Sequence, residues 1–101
     1  MSYYVYIMSS KSGVLYIGST SDLDLRVIQH KRGLFDGFTR KYRVTRLVYF
    51  EQFAQPAEMV RRERQLKGWT RRRKLELIHT LNSAMVDCAR RTARDPSLRS
   101  G

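Results

Sequence analysis

Hydrophobic and polar positions alternate at the start of the chain and then change period. From Tyr3, the run YYVYIM places Tyr4, Tyr6 and Met8 on one side of an extended strand and Val5 and Ile7 on the other. Residues Ser9 to Gly13 supply turn chemistry. Leu15 and Ile17 then continue the aliphatic side, while Tyr16 and Gly18 fall on the tyrosine side. The two runs predict a hairpin with one buried aliphatic face and one face of phenols. Beyond it the period becomes helical. Ser21 as N-cap, Asp22 and Asp24 in the first turn, and apolar Leu23, Val27 and Leu34 with Leu25 and Ile28 nearby predict a helix to Lys31 or Arg32. Gly33 closes it as a left-handed C′ residue. Arg26 and His30, four apart, project from one side of that helix, available to the tyrosine face if the helix is so oriented.

Residues Leu34 to Arg46 show no sustained period and read as a basic loop carrying Arg40, Lys41, Arg43 and Arg46. Phe38 and Tyr42 there could stack on bases, or Phe35 and Phe38 could pin the loop to the core. Leu47 to Phe50 is a third strand ending at Glu51. Pro56 opens a second helix over Ala57 to Lys67, stopped by Gly68, with Met59, Val60 and Leu66 as its buried stripe. Glu63 lies four after Met59 and three before Leu66, a carboxylate on the core side that demands a partner, a neighbouring arginine being the structural choice. Thr70 caps a third helix that begins Arg71-Arg72-Arg73-Lys74 and carries a stripe of Leu75, Ile78, Leu81 and Met85 to about Cys88. Its four cations form either a solvated face or a phosphate contact surface; Trp69 and His79 read as structural. The expected fold is α+β, a small three-stranded, mainly antiparallel sheet flanked by three helices. Residues 1–89 form the expected domain and residues 90–101 a frayed basic tail.

Composition narrows the partners. A chain of 101 residues with 42% apolar residues supports one modest core. Its formal charge of +11 points to a polyanion, nucleic acid before an anionic membrane or an acidic protein. The single Cys88 excludes an internal disulfide and a multi-cysteine zinc site, and suits a reducing compartment. No apolar run approaches the roughly 20 residues needed to span a bilayer. The first strand starts at once with no leader-like n-region, so a soluble cytoplasmic protein is expected.

Four separated elements, in order, resemble one family. Tyr-Val-Tyr, a short loop and Tyr16-Ile17-Gly18 resemble the signature of the GIY-YIG nuclease superfamily, with Tyr4 standing where the first glycine would be and Tyr6 matching the first tyrosine. Arg26, after Thr20-Ser21-Asp22-Leu23-Asp24-Leu25, matches that family's phosphate-binding arginine. His30 matches a histidine frequent in its small stand-alone members. Glu63, in Arg-Glu-Arg-Gln-Leu-Lys-Gly-Trp, matches the metal-binding glutamate.

The resemblance implies divalent-metal-dependent hydrolysis of nucleic-acid phosphodiesters, DNA before RNA, in repair or recombination. It implies Glu63 as the ligand of one Mg²⁺ or Mn²⁺ ion and Arg26 as the cation on the transition state. Tyr6 would orient or deprotonate the attacking water, with His30 as the alternative base, and Tyr16 would hydrogen-bond the phosphate or the water. Gly18 fits a close approach of backbone to substrate or helix. Lys31, Arg40, Lys41, Arg43, Arg71 and Arg72 are the candidate substrate contacts. A non-catalytic nucleic-acid-binding module on the same fold is the alternative, and a basic adaptor for an acidic protein a third reading.

Overall fold

The computed structural model describes residues 1–88. Strands β1 (Tyr3–Ser9), β2 (Leu15–Thr20) and β3 (Arg46–Phe53) form one sheet in the order β2-β1-β3, antiparallel throughout. Helices α1 (Leu23–Lys31), α2 (Gly37–Lys41), α3 (Pro56–Lys67) and α4 (Arg71–Leu81) cover it. The expected α+β fold is therefore present, and β3 is longer at both ends than its apolar run.

Side-chain alternation makes two cores rather than one. Val5, Ile7, Ile17, Val48, Leu66 and Ile78 pack on the side of α3 and α4. Tyr6, Met8, Leu23, Val27, Val44 and Leu47 pack on the side of α1. The phenol face is thus covered as well, and Tyr6 is completely buried. A bulge sets the third strand: Ile7 opposes Tyr49 and Met8 opposes Leu47, leaving Val48 as the extra residue. As a result Val48 and Tyr49 both turn to the α3 and α4 side, while Leu47 and Phe50 face α1.

Several helix details differ from the sequence expectations. Asp22, not Ser21, caps α1, its carboxylate accepting from the Leu25 N–H at 3.1 Å. The buried stripe of α1 is Leu23, Val27 and His30, whereas Leu25, Ile28 and Leu34 are exposed. The segment expected to be all loop contains α2, which Asp36 starts by accepting from the Phe38 and Thr39 N–H groups. One turn and a half is too short to show a period, and Gly37 hides it further. In α3, Leu66 is buried and Met59 partly so, but Val60 is exposed. Thr70 caps α4 as expected, but the helix ends at Leu81 instead of near Cys88. Asn82 stops it by turning inward, its amide donating to the Val48 and Val86 carbonyls. His79 is exposed rather than structural. The tail expected from Arg90 lies outside the described residues.

Two ties hold the α3 and α4 side. Arg62 forms a bidentate pair with Glu51 at 2.9 Å for both bonds, and Glu51 also accepts from Tyr49 at 2.6 Å. The Trp69 ring takes the guanidinium groups of both Arg62 and Arg73, at 5.3 and 4.2 Å from its centre.

Candidate active site

The site forms where α1 crosses the phenol face beside the edge strand β2. Tyr6 and Gly18 are direct cross-strand partners. A Cβ on Gly18 would stand 2.5 Å from the Tyr6 hydroxyl oxygen and 2.6 Å from Cζ, so the ring of Tyr6 lies over the glycine. Gly18 therefore makes room for a side chain of its own fold, the ring of Tyr6. That placement aims the Tyr6 hydroxyl at α1.

There it meets both members of the expected helical pair. His30 Nε2 is 3.0 Å from Tyr6 Oη, and Arg26 Nη1 is 3.4 Å from the same oxygen. A guanidinium only donates, so Tyr6 Oη accepts from Arg26; where the phenol in turn donates to His30 Nε2, the imidazole proton resides on Nδ1. That Nδ1 is buried with no hydrogen-bond partner among the described residues. Tyr16, half-buried, completes the cluster, with its ring 5.3 Å from that of His30 and 6.4 Å from that of Tyr6. Phe35 from the segment before α2 packs on His30 at 4.8 Å and under the Arg26 guanidinium at 4.2 Å. Phe35 thus pins this segment, whereas Phe38 and Tyr42 stay nearly half exposed.

Burial sets the protonation states. It pushes the Tyr6 phenol up to about 12 against the lowering influence of Arg26, and raises Tyr16 as well, helped by the Asp36 charge. It also pushes His30 down to about 4, and Arg26 acts in the same direction. At neutral pH both phenols are protonated and His30 is uncharged. Arg26 is then the one formal charge within the Tyr6, Tyr16, Arg26 and His30 group.

Glu63 reaches the site from the opposite face of the sheet. Ser19 Oγ donates to Glu63 Oε1 at 2.8 Å, while Arg26 Nη1 donates to the Ser19 carbonyl at 3.4 Å. The arginine from α1 and the carboxylate from α3 therefore meet at one residue of the edge strand. The other carboxylate oxygen pairs with Lys67 at 3.0 Å, so the partner of Glu63 is a lysine on its own helix instead of an arginine. Glu63 keeps a fifth of its side-chain surface, and the Lys67 side chain is more than half exposed. Ser19 was absent from the sequence reading. Its signal was a hydroxyl at an inward-facing position two after Ile17.

The expected basic contacts divide. Arg40 and Arg43 line a cavity next to His30, and Lys31 lines it too while held by the Thr45 carbonyl and by an ion pair with Asp87. Lys41 sits over the Tyr42 ring. Arg71 donates to the Gly13 carbonyl at 2.6 Å, tying α4 to the hairpin loop, and Arg72 is exposed. Neither has a described contact with the cluster. Among the described residues no group of three or more His, Cys, Asp or Glu side chains is placed to hold a metal. The donors present are the Glu63 carboxylate and the Ser19 hydroxyl, hard oxygens that fit a cation which keeps most of its water.

An antiparallel three-stranded sheet with phenols, arginine and glutamate converging on its edge defines a GIY-YIG architecture. A family model described as the GIY-YIG catalytic domain matches residues 2–76, and the chain belongs to that family. Its relatives include the UPF0213 protein SSP2268 of Staphylococcus saprophyticus, 38% identical over 76 residues that span 75% of this chain and 93% of the relative. The UPF0213 protein SA0446 of Staphylococcus aureus is 39% identical over 77 residues, spanning 76% and 94%. The solution NMR structure of the UPF0213 protein BH0048 from Bacillus halodurans superposes with a TM-score of 0.57 at 32% identity, covering 89% of this chain and 96% of that one. No helix among the described residues is long and apolar enough to cross a membrane.

Proposed function

We propose that the protein is a divalent-metal-dependent nuclease that hydrolyses phosphodiester bonds, with DNA before RNA as substrate. The observation that carries this reading is the meeting of Arg26 and Glu63 at Ser19 from opposite faces of the sheet. A protein that only binds nucleic acid has no physical need to bring a carboxylate to the same strand residue that its phosphate-seeking arginine touches.

Arg26 takes the phosphate, its planar fork neutralising charge as it builds on the equatorial oxygens. Tyr6 is fully buried and both its described partners are protein groups, which supports a positioning role: it fixes the heading of Arg26 and the tautomer of His30. Tyr16, the less buried phenol, is suited to hydrogen-bond the phosphate or the attacking water. Glu63 would hold Mg²⁺ or Mn²⁺, with Lys67 released to solvent. A bound ion of that kind polarises a non-bridging oxygen and stabilises the leaving oxygen. Ser19 keeps the carboxylate oriented.

The test is cleavage of labelled single-stranded, duplex and branched DNA and of RNA, with Mg²⁺, Mn²⁺ or EDTA, for wild type and Glu63→Gln. Cutting that needs metal and vanishes in the variant while binding persists is the expected result. Equal binding with no cutting by either protein on any substrate refutes the nuclease and leaves a binding module.

A further inference from the structure

A cavity of about 530 Å³ opens between the hairpin loop, the end of α1 and α2. Lys11, Arg32, Arg40 and Arg43 line it, together with Tyr42 and His30. None of those four cations belongs to an ion pair among the described residues. His30 is 1% exposed, and its Nδ1, which carries a proton if Tyr6 donates to Nε2, is the one buried side-chain nitrogen or oxygen without a partner among the described residues. A buried N–H donor without an acceptor is expensive to keep. A concave, cation-lined space against the same ring supplies a reason to keep it.

The backbone offers a second, independent sign. Both α1 and α2 end in the same way: the N–H two residues past each helix cap returns to a carbonyl five residues back, Leu34 to Gln29 at 2.8 Å and Val44 to Thr39 at 2.9 Å. That ending places the intervening residue in the left-handed region. In α1 it is Gly33, at φ +68°, which adopts this without strain. In α2 it is Arg43, at φ +53°, where an L side chain is disfavoured. The chain thus puts an arginine where its own neighbouring helix uses glycine, and that arginine lines the cavity.

We propose that this cavity is a phosphate-binding subsite, holding a phosphate of the nucleic acid other than the one being cut. The inference deepens the nuclease reading by adding a second anchor beside His30, in a cavity that Tyr6 does not line. It rests on that reading for its ligand's source, but not for its measurement. The shared chemistry is a phosphate group, from either a strand terminus or an internal linkage. Half-exposed Tyr42 beside it offers a ring for the attached base.

The experiment titrates inorganic phosphate, against chloride at equal ionic strength, into the ¹⁵N-labelled full-length protein, following the His30 ring nitrogens and backbone amides. The variants are Arg43→Gly and Arg40→Gln, with thermal unfolding measured on each. Expected is a saturable shift of His30 Nδ1 and of amides in residues 31–33 and 40–43. Affinity should fall about tenfold in either variant, the loss typical of one charge-assisted hydrogen bond. Arg43→Gly should also raise the melting temperature, so weaker binding cannot be ascribed to a damaged fold. No saturable shift, or an Arg43→Gly protein that binds phosphate as well as wild type, overturns the proposal.

Oligonucleotides with 5′-phosphate and 5′-hydroxyl ends, in EDTA, then identify the source. Preferential displacement of inorganic phosphate by the phosphorylated end assigns a terminus, and equal displacement assigns an internal linkage. Displacement by neither overturns the assignment to nucleic acid. Parallel cleavage assays separate the two readings: phosphate binding without cutting defeats the nuclease alone, and cutting without phosphate binding defeats the subsite alone.

Discussion

Replacing Gly18 with alanine adds one methyl group at the point where the whole cluster is aimed. Relief of glycine's conformational entropy in a strand favours the variant by about 0.5–1 kcal/mol. Against this, the new Cβ would lie 2.5 Å from the Tyr6 hydroxyl and 2.6 Å from Cζ, closer than real carbon contacts allow. Tyr6 is fully buried, so its ring has no solvent to retreat into. Overpacking of this kind costs about 1–3 kcal/mol. Displacing the ring also breaks the bonds to His30 and Arg26, about 1 kcal/mol for each. The balance is a loss of about 2–4 kcal/mol, readable as a fall in urea midpoint and a melting temperature lower by roughly 10 °C or more. A double-mutant cycle with Tyr6→Leu isolates the cause, because leucine carries no ring over position 18. Alanine there should then be nearly neutral. If Gly18→Ala costs as much with leucine at position 6 as with tyrosine, the contact between ring and glycine is not what position 18 protects.

Other consequences follow from the same geometry. Arg26→Lys should lower cleavage by about 10²–10³-fold while nucleic-acid binding weakens far less, because a lysine ammonium cannot span Tyr6 Oη, the Ser19 carbonyl and the phosphate together; equal losses in binding and cutting would contradict this. His30 titrates at about 4 in the folded protein against 6.5 as its ordinary value, so the unfolded chain binds the proton first and stability drops as pH falls from about 6.5 towards 4. The full difference is at most about 3 kcal/mol, and urea unfolding at pH 7 and pH 4.5 should show wild type losing more than His30→Gln. Glu51 contributes acid sensitivity of the same sign to both proteins: burial pushes its carboxyl up, but hydrogen bonds from Arg62 and Tyr49 outweigh it and hold the group low. Asp36→Ala removes both acceptor bonds that start α2 and should cost about 1 kcal/mol, loosening Phe35 and with it Arg26; unchanged stability and unchanged Arg26 side-chain resonances would show that the cap does not hold this segment.

How much of this was legible depended on whether a residue's signal was local. Strand alternation and helical spacing assign Tyr6, Tyr16, Arg26, His30 and Glu63 to their faces before any tertiary contact is known, but it is the resemblance to the GIY-YIG signature that joins them into one site. The bulge at Val48 was not legible, since an extra residue in a run of apolar positions leaves the composition of the strand unchanged. Val60 and Leu81 fit their helical stripes, yet both lie on exposed surface; a stripe gives a direction around the helix, not the extent of what covers it. The reverse holds for His30, which occupies the third position of the buried stripe of α1 although a histidine is not an apolar residue. Glu63 was correctly singled out as needing a partner. That partner is Lys67, four residues on along the same helix, and not one of the more numerous arginines.

Net charge and burial act on this site in opposite directions, and that opposition explains why a polyanion would be part of the machinery rather than only its substrate. A formal charge of +11 draws phosphate in, while burial first and the neighbouring Arg26 charge second make a protonated His30 unfavourable. Of the carboxylates that act on the cluster, Asp36 is engaged in capping α2, and Glu63 lies across β2 and is already paired with Lys67. The arriving phosphates therefore supply the negative charge that the Tyr6, Arg26 and His30 group lacks. Two dependences on salt should follow and should differ. Binding should weaken steeply as salt rises, because each phosphate contact releases counterions. The Tyr6–His30 bond, buried and between neutral groups, should persist across the same range, so that at saturating substrate the rate of cutting stays nearly constant while the concentration needed to reach it climbs.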